Sequence, residues 1–156
     1  MKIILRAGGL MRSGPERDLV DDYLQRAQLL ARNVGFLSVE EQSVDLAKCR
    51  DRSEETRKLV EGLSDNSVLF ILDERGKALK SRQFASTMSE QRDLGFSSLV
   101  FLIGGADGFE PSELPPQARK ISFGIQTWPH KLVRVMLAEQ IYRGLGILAG
   151  TPYHRD

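Results

Sequence analysis

Cysteine is almost missing from this chain. Cys49 stands alone among 156 residues, which excludes an intrachain disulfide and a zinc site built on thiolates, so no metal is expected. No histidine lies near it in sequence to make it a nucleophile. Long apolar runs are missing too: none reaches the roughly 18 residues of a membrane span, so no membrane partner is expected. The opening Met1-Lys2-Ile3-Ile4-Leu5-Arg6 meets charge too soon for a secretory signal and reads as a first strand, which points to the cytoplasm. Nor is there an excess of one charge. A net charge of +1 argues against holding nucleic acid by a broad basic surface, while leaving room for a local basic patch. The common nucleotide fingerprints are absent as well. Neither Gly8-Gly9 nor Gly104-Gly105 continues with the glycine spacing of a dinucleotide site, and Gly76-Lys77 is followed by Ala78 where a phosphate loop needs Ser or Thr.

What is present is a regular alternation of strands and helices. Strands are expected at Ile3 to Ala7, Phe36 to Glu40, Val68 to Leu72, Leu99 to Ile103 and Ile121 to Thr127. A helix from Pro15 repeats apolar residues every three or four positions from Leu19 to Val34 and stops at Gly35. A second, mostly solvated helix covers Cys49 to Gly62, with Glu41 to Lys48 before it as loop. Ser81 is expected to cap a third helix, with Phe84, Ala85, Met88 and Leu94 on its inner face. Three prolines leave room only for a short helix near Glu110 to Leu114. The last helix, from Lys131, has an apolar arc too wide for a single sheet contact, which points to a second copy across a two-fold axis. The pattern predicts one domain over residues 1–156, of α/β class, with a mostly parallel sheet of about five strands and helices on both faces.

Two apolar strands end in exposed turns rich in glycine. Ser98-Leu-Val-Phe-Leu-Ile103 runs into Gly104-Gly105-Ala106-Asp107-Gly108, which lets bare amides approach a ligand. Ligands of open α/β sheets sit beyond the carboxyl ends of the strands, so a cleft lined by Leu72, Ile103, Phe123 and Ile125 is expected to hold a nucleoside. His130 either braces a helix start or contacts a ligand or RNA. Asp73 and Glu74 are either solvated turn residues or general bases. Arg134, Arg143 and Glu139 on the last helix make ion pairs, dimer contacts or, for the arginines, RNA contacts. The tail Pro152-Tyr153-His154-Arg155 either frays or offers an aromatic ring, a titratable ring and a guanidinium to an unpaired base.

The run Thr127-Trp-Pro-His-Lys-Leu-Val-Arg-Val135, then Glu139-Gln-Ile-Tyr-Arg143, then Pro152-Tyr-His-Arg155, together with Leu102-Ile-Gly-Gly-Ala-Asp-Gly108, resembles the ribosomal RNA large subunit methyltransferase H family of the SPOUT class. The resemblance covers the whole chain in length and element order. It implies a C-terminal trefoil knot, S-adenosyl-L-methionine bent into that knot, and a homodimer whose second subunit completes the site. It also implies N3-methylation of a pseudouridine in 23S rRNA on the assembled ribosome. By the same resemblance Leu72, Gly104, Phe123, Gly124, Ile125, Gln126, Thr127 and Trp128 contact the cofactor. For the N3 proton His154 is the expected base, since its unperturbed pKa of about 6.5 lies near working pH, with Tyr153 and Arg155 positioning the base and backbone, while His130 and Arg134 are the alternative contacts to the nucleotide across the dimer. The chain departs from the family pattern at Gly124 (commonly serine), Gln126 (commonly apolar), Trp128 (Leu or Phe) and Gly9 in Gly8-Gly9 (commonly Gly-Lys). Two other readings remain: a non-catalytic ribosome-associated factor of the same fold, and a SPOUT enzyme acting on transfer RNA, for which a more basic surface would be expected.

Overall fold

Six residues without a charge, Ser98–Ile103, form strand β4, and all six are buried. The computed structural model describes residues 1–155. Around β4 the chain runs β1 (Lys2–Gly8), α1 (Pro15–Ala31), β2 (Ser38–Val44), α2 (Arg52–Val60), β3 (Ser67–Ala78), α3 (Ser81–Asp93), then β4, β5 (Arg119–Ser122) and α4 (His130–Leu148). The sheet order is β2-β1-β4-β3-β5, and every pair is parallel, as the α/β reading required.

Alternation along the strands divides the core into two layers. Ile3, Leu5, Phe70, Leu99, Phe101 and Ile103 share one layer with residues of α1, α3 and α4. Ile4, Leu69, Ile71, Val100 and Leu102 form the other, covered by Val60, Leu63, Phe109 and Leu114. Phe101 sits centrally, its ring 5.1 Å from that of Phe84 and 5.8 Å from that of Phe70. Phe101→Ala is therefore expected to lower stability by about 3–5 kcal/mol, read as the shift in a urea unfolding midpoint. Among the described residues no helix is long and apolar enough to cross a membrane.

Several boundaries differ from the sequence reading, each for a local reason. Phe36 is not a strand residue. A 3-10 turn at Arg32–Val34 ends on Gly35 (φ 82°), and Phe36, 1% exposed, drops into the core beneath it. The second strand instead starts at Ser38 and runs through residues expected to be loop, because Gln42, Ser43 and Val44 pair with Arg6, Ala7 and Gly8. The charged stretch Asp73 to Lys77 is not a free turn either. It continues β3 through a bulge, so that both Leu72 and Lys77 register with Ile121 of β5. Gly76 crosses so close to β5 that a Cβ would lie 2.5 Å from the Ile121 carbonyl carbon.

Strand five stops at Ser122, and Gly124 (φ 112°) turns the following residues out of the sheet. Leu94 is 69% exposed at the end of α3, outside the inner face assigned to it. Ser81 makes no capping bond. Its hydroxyl donates to Gln140 Oε1 at 3.0 Å and ties α3 to α4.

Candidate active site

The bulge of β3 and the carboxyl ends of β4 and β5 meet at one cleft of about 350 Å³. That size is within the range of small-molecule sites. Leu72 enters it at the bulge of β3 and Ile103 at the end of β4, Gly104 to Gly108 form its floor, and Phe123, Gly124 and Gln126 to Trp128 form the far wall. The floor is a tight turn: Gly108 N–H donates to Gly105 O at 3.1 Å, and Gly108 has φ 74°. A Cβ at Gly104 would lie 3.1 Å from Gly108 O and from the Phe109 ring, so any larger residue would push the turn outward by a few tenths of an ångström. Every residue expected to contact the cofactor lines this cleft except Ile125, which is 93% exposed and turned outward. The Gly124 turn (φ 112°) stands immediately before it.

Of the two carboxylates after Leu72, Asp73 is tied up. Burial raises its pKa, but the Lys120 ammonium at 2.9 Å and the Arg75 backbone N–H at 2.9 Å outweigh this and hold the carboxyl below its ordinary value. A carboxylate held ionised in this way is a poor general base. The sign of the shift fixes its pH signature. Ionised Asp73 contributes stability above its unfolded pKa of about 3.9, and that contribution is lost as pH falls through the lower folded value. The gap in Tm between the protein and Asp73→Asn is thus expected to be full near neutral pH, to correspond to less than about 1 kcal/mol, and to close in acid. Glu74 accepts a long bond from Thr127 Oγ1 at 3.4 Å.

His130 opens α4 and faces the cleft. Arg134, one turn on, does not line it. It is 4% exposed, and its guanidinium donates to Gly8 O at 3.1 Å, Gly9 O at 2.9 Å, Ser43 Oγ at 3.2 Å and Glu41 Oε1 at 3.3 Å. Glu41 also pairs with Arg17 at 2.6 Å. The expectation of a nucleotide contact at Arg134 is therefore corrected: this arginine holds the turn after β1. Its pKa is lowered because burial outweighs the nearby Glu41. Nothing in the sequence pairs Glu41 or Ser43 with a helix residue about ninety positions away, so this network is visible only in the folded chain.

The tail folds back on α4. Tyr153 O–H donates to Glu139 Oε1 at 3.1 Å, its ring lies 4.6 Å from that of Tyr142, and the Arg143 guanidinium stands 4.7 Å over it. Desolvation, then a Tyr23 hydrogen bond and Glu139, push the Tyr153 phenol well up, so it remains a donor. Arg143 also reaches His154 Nδ1 at 3.3 Å. A guanidinium can only donate, so Nδ1 accepts. Tyr153, His154 and Arg155 do not line the cleft. Three or more clustered metal-ligating side chains are also absent among the described residues.

Comparison with known proteins fits this geometry. A family model described as "Predicted SPOUT methyltransferase" matches residues 1–154. The ribosomal RNA large subunit methyltransferase H of Maricaulis maris (strain MCS10) is 50% identical over 156 residues, spanning 100% of both chains. Those of Hyphomonas neptunium and Dinoroseobacter shibae are 44% and 46% identical over 155 residues, spanning 99% of both. A parallel sheet with its cleft at β3, β4 and β5, matched end to end by these relatives, makes this chain a member of the SPOUT methyltransferase family.

Proposed function

We propose that the protein is an S-adenosyl-L-methionine-dependent enzyme that methylates N3 of a pseudouridine in 23S rRNA on the assembled ribosome. It would act as a homodimer in which each cleft takes the tail of the other subunit. The observation that carries this reading is the glycine-floored cleft at the strand ends, in a chain half identical throughout to a ribosomal RNA large subunit methyltransferase H.

The cleft fits the cofactor. Backbone amides of the Gly104 turn and of the run from Phe123 to Trp128 suit the hydrogen-bonding edge of a purine, and Leu72, Ile103, Phe123 and Val133 suit its faces. When bound, S-adenosyl-L-methionine supplies a methyl carbon on a positively charged sulfur. The polypeptide contributes position: in-line placement of N3 and methyl accounts for much of the acceleration. With the methyl group supplied by the cofactor, the residue that would take the N3 proton is His154, brought to the cleft by the tail of the second subunit. In this reading the segment beyond β5 threads a trefoil knot around the cofactor.

Ribosomes from a strain lacking this protein, treated with the purified chain and radiolabelled cofactor, should gain one methyl group on a 23S rRNA fragment by mass analysis. Cofactor binding without transfer would instead indicate a non-catalytic factor. Transfer to bulk transfer RNA would indicate the other SPOUT reading.

A further inference from the structure

A second cleft opens beside the first, between the carboxyl ends of β1 and β4. This is the switch point of the sheet, because the chain leaves β1 toward β2 on one side and leaves β4 toward β5 on the other. Parallel sheets bind ligands at such points. The two clefts share Gly105, Ala106 and His130, so their occupants would touch. Arg134 fixes the Gly8-Gly9 turn that forms one wall.

One group in this cleft is unexplained by the fold. Glu55 of α2 presses Oε2 against Gly105, where a Cβ would lie 2.3 Å away. That oxygen is buried and accepts no hydrogen bond. Its twin Oε1 has no protein partner either and is not enclosed, and the residue lines the cleft. The enclosed Oε2 costs stability in this state, and Oε1 is the oxygen that a ligand's donor can reach. At the exposed rim two cations, Arg12 and Lys131, outnumber one carboxylate, Asp45. Cations outside and a bare acceptor inside suit a nucleotide whose phosphates stay at the rim while an N–H of its base enters first.

Resting on the function proposed above, we infer that this second cleft receives the target base and that Glu55 accepts a hydrogen bond from the ring N–H that is not methylated. Pseudouridine is joined to its sugar through carbon, so it carries N–H groups at both N1 and N3. With N3 facing the methyl group, N1–H is left for Glu55. In uridine N1 bears the sugar and offers no proton. Glu55 is thereby a specificity-determining residue, and it sets a preference for pseudouridine over uridine.

The test uses the full-length protein with two ribosome preparations, one with pseudouridine at the target and one with uridine there, from cells lacking the corresponding synthase. The protein should favour pseudouridine ribosomes in kcat/KM by at least about tenfold, and Glu55→Ala should erase most of that ratio. Its Tm should be no lower, and its affinity for S-adenosyl-L-methionine by calorimetry should stay within about twofold, since an unpaired buried oxygen is removed. Should Glu55→Ala fail to fold, Glu55→Gln keeps an acceptor oxygen and should retain part of the preference. Equal losses on both ribosomes, a lost affinity for S-adenosyl-L-methionine, or no preference in the unmodified protein would each overturn the inference while leaving the proposed function intact. Absence of transfer to either ribosome by the unmodified protein would overturn the function itself.

Discussion

Methyl transfer by His154→Ala is expected to fall by about 10²–10⁴-fold at saturating cofactor, the range that follows removal of a positioned base. Cofactor affinity should be retained, because the residue does not line the cleft of its own subunit. Mixing then tests where the tail acts. Thr127→Arg puts a long cation at an exposed position of the cleft mouth, against a positively charged cofactor, and should also be inactive. A dimer with one subunit of each kind has one intact cleft facing one intact tail. Refolded or exchanged in equal amounts, the two inactive variants should together regain about a quarter of the original rate. No recovery despite subunit exchange would place the tail on its own subunit's cleft and refute the composite site.

Arg134→Leu is expected to destabilise the protein by about 3 kcal/mol, at the lower end for a broken buried ion pair because Arg17 still neutralises Glu41. The carbonyls of Gly8 and Gly9 lose their donor, and the loss should appear as a fall in Tm of roughly 6–12 °C for a domain of this size. Arg134→Lys should recover little. An ammonium is one compact charge, whereas four acceptors are spread here along the fork of a guanidinium. A variant that melts normally but binds ribosomes poorly would restore the nucleotide contact expected from the sequence.

These two cases show where the sequence was readable and where it was not. β4 could be read directly, since an uncharged apolar run bounded by glycines has few other places to go. The cleft floor followed from it, because the strand end and its glycines are neighbours in the chain. β2 was misplaced because a turn that buries Phe36 leaves the same apolar residue ahead of the strand as a strand start would. The charged end of β3 looked like solvent because the strand crosses β5 with polar side chains outward, a bend visible only once Gly76 meets Ile121. Arg134 and Glu55 were the least legible. An arginine on a helix reads as surface until its acceptors on β1 and β2 are known, and Glu55 read as part of a solvated helix until Gly105 was found against it.

The order of strands also governs how the protein can be made. β1 gains its neighbour β2 early, but its other edge waits for β4, whose partners lie about ninety-six positions later in the chain. The turn after β1 then waits for Arg134, near the end. A nascent chain therefore emerges with half a sheet and an open seam, and collapse is deferred until synthesis is nearly over. Such distant closures give slow folding, on the millisecond to second scale, and a polypeptide cut short before α4 should be a substrate for chaperones and proteases instead of a smaller native protein.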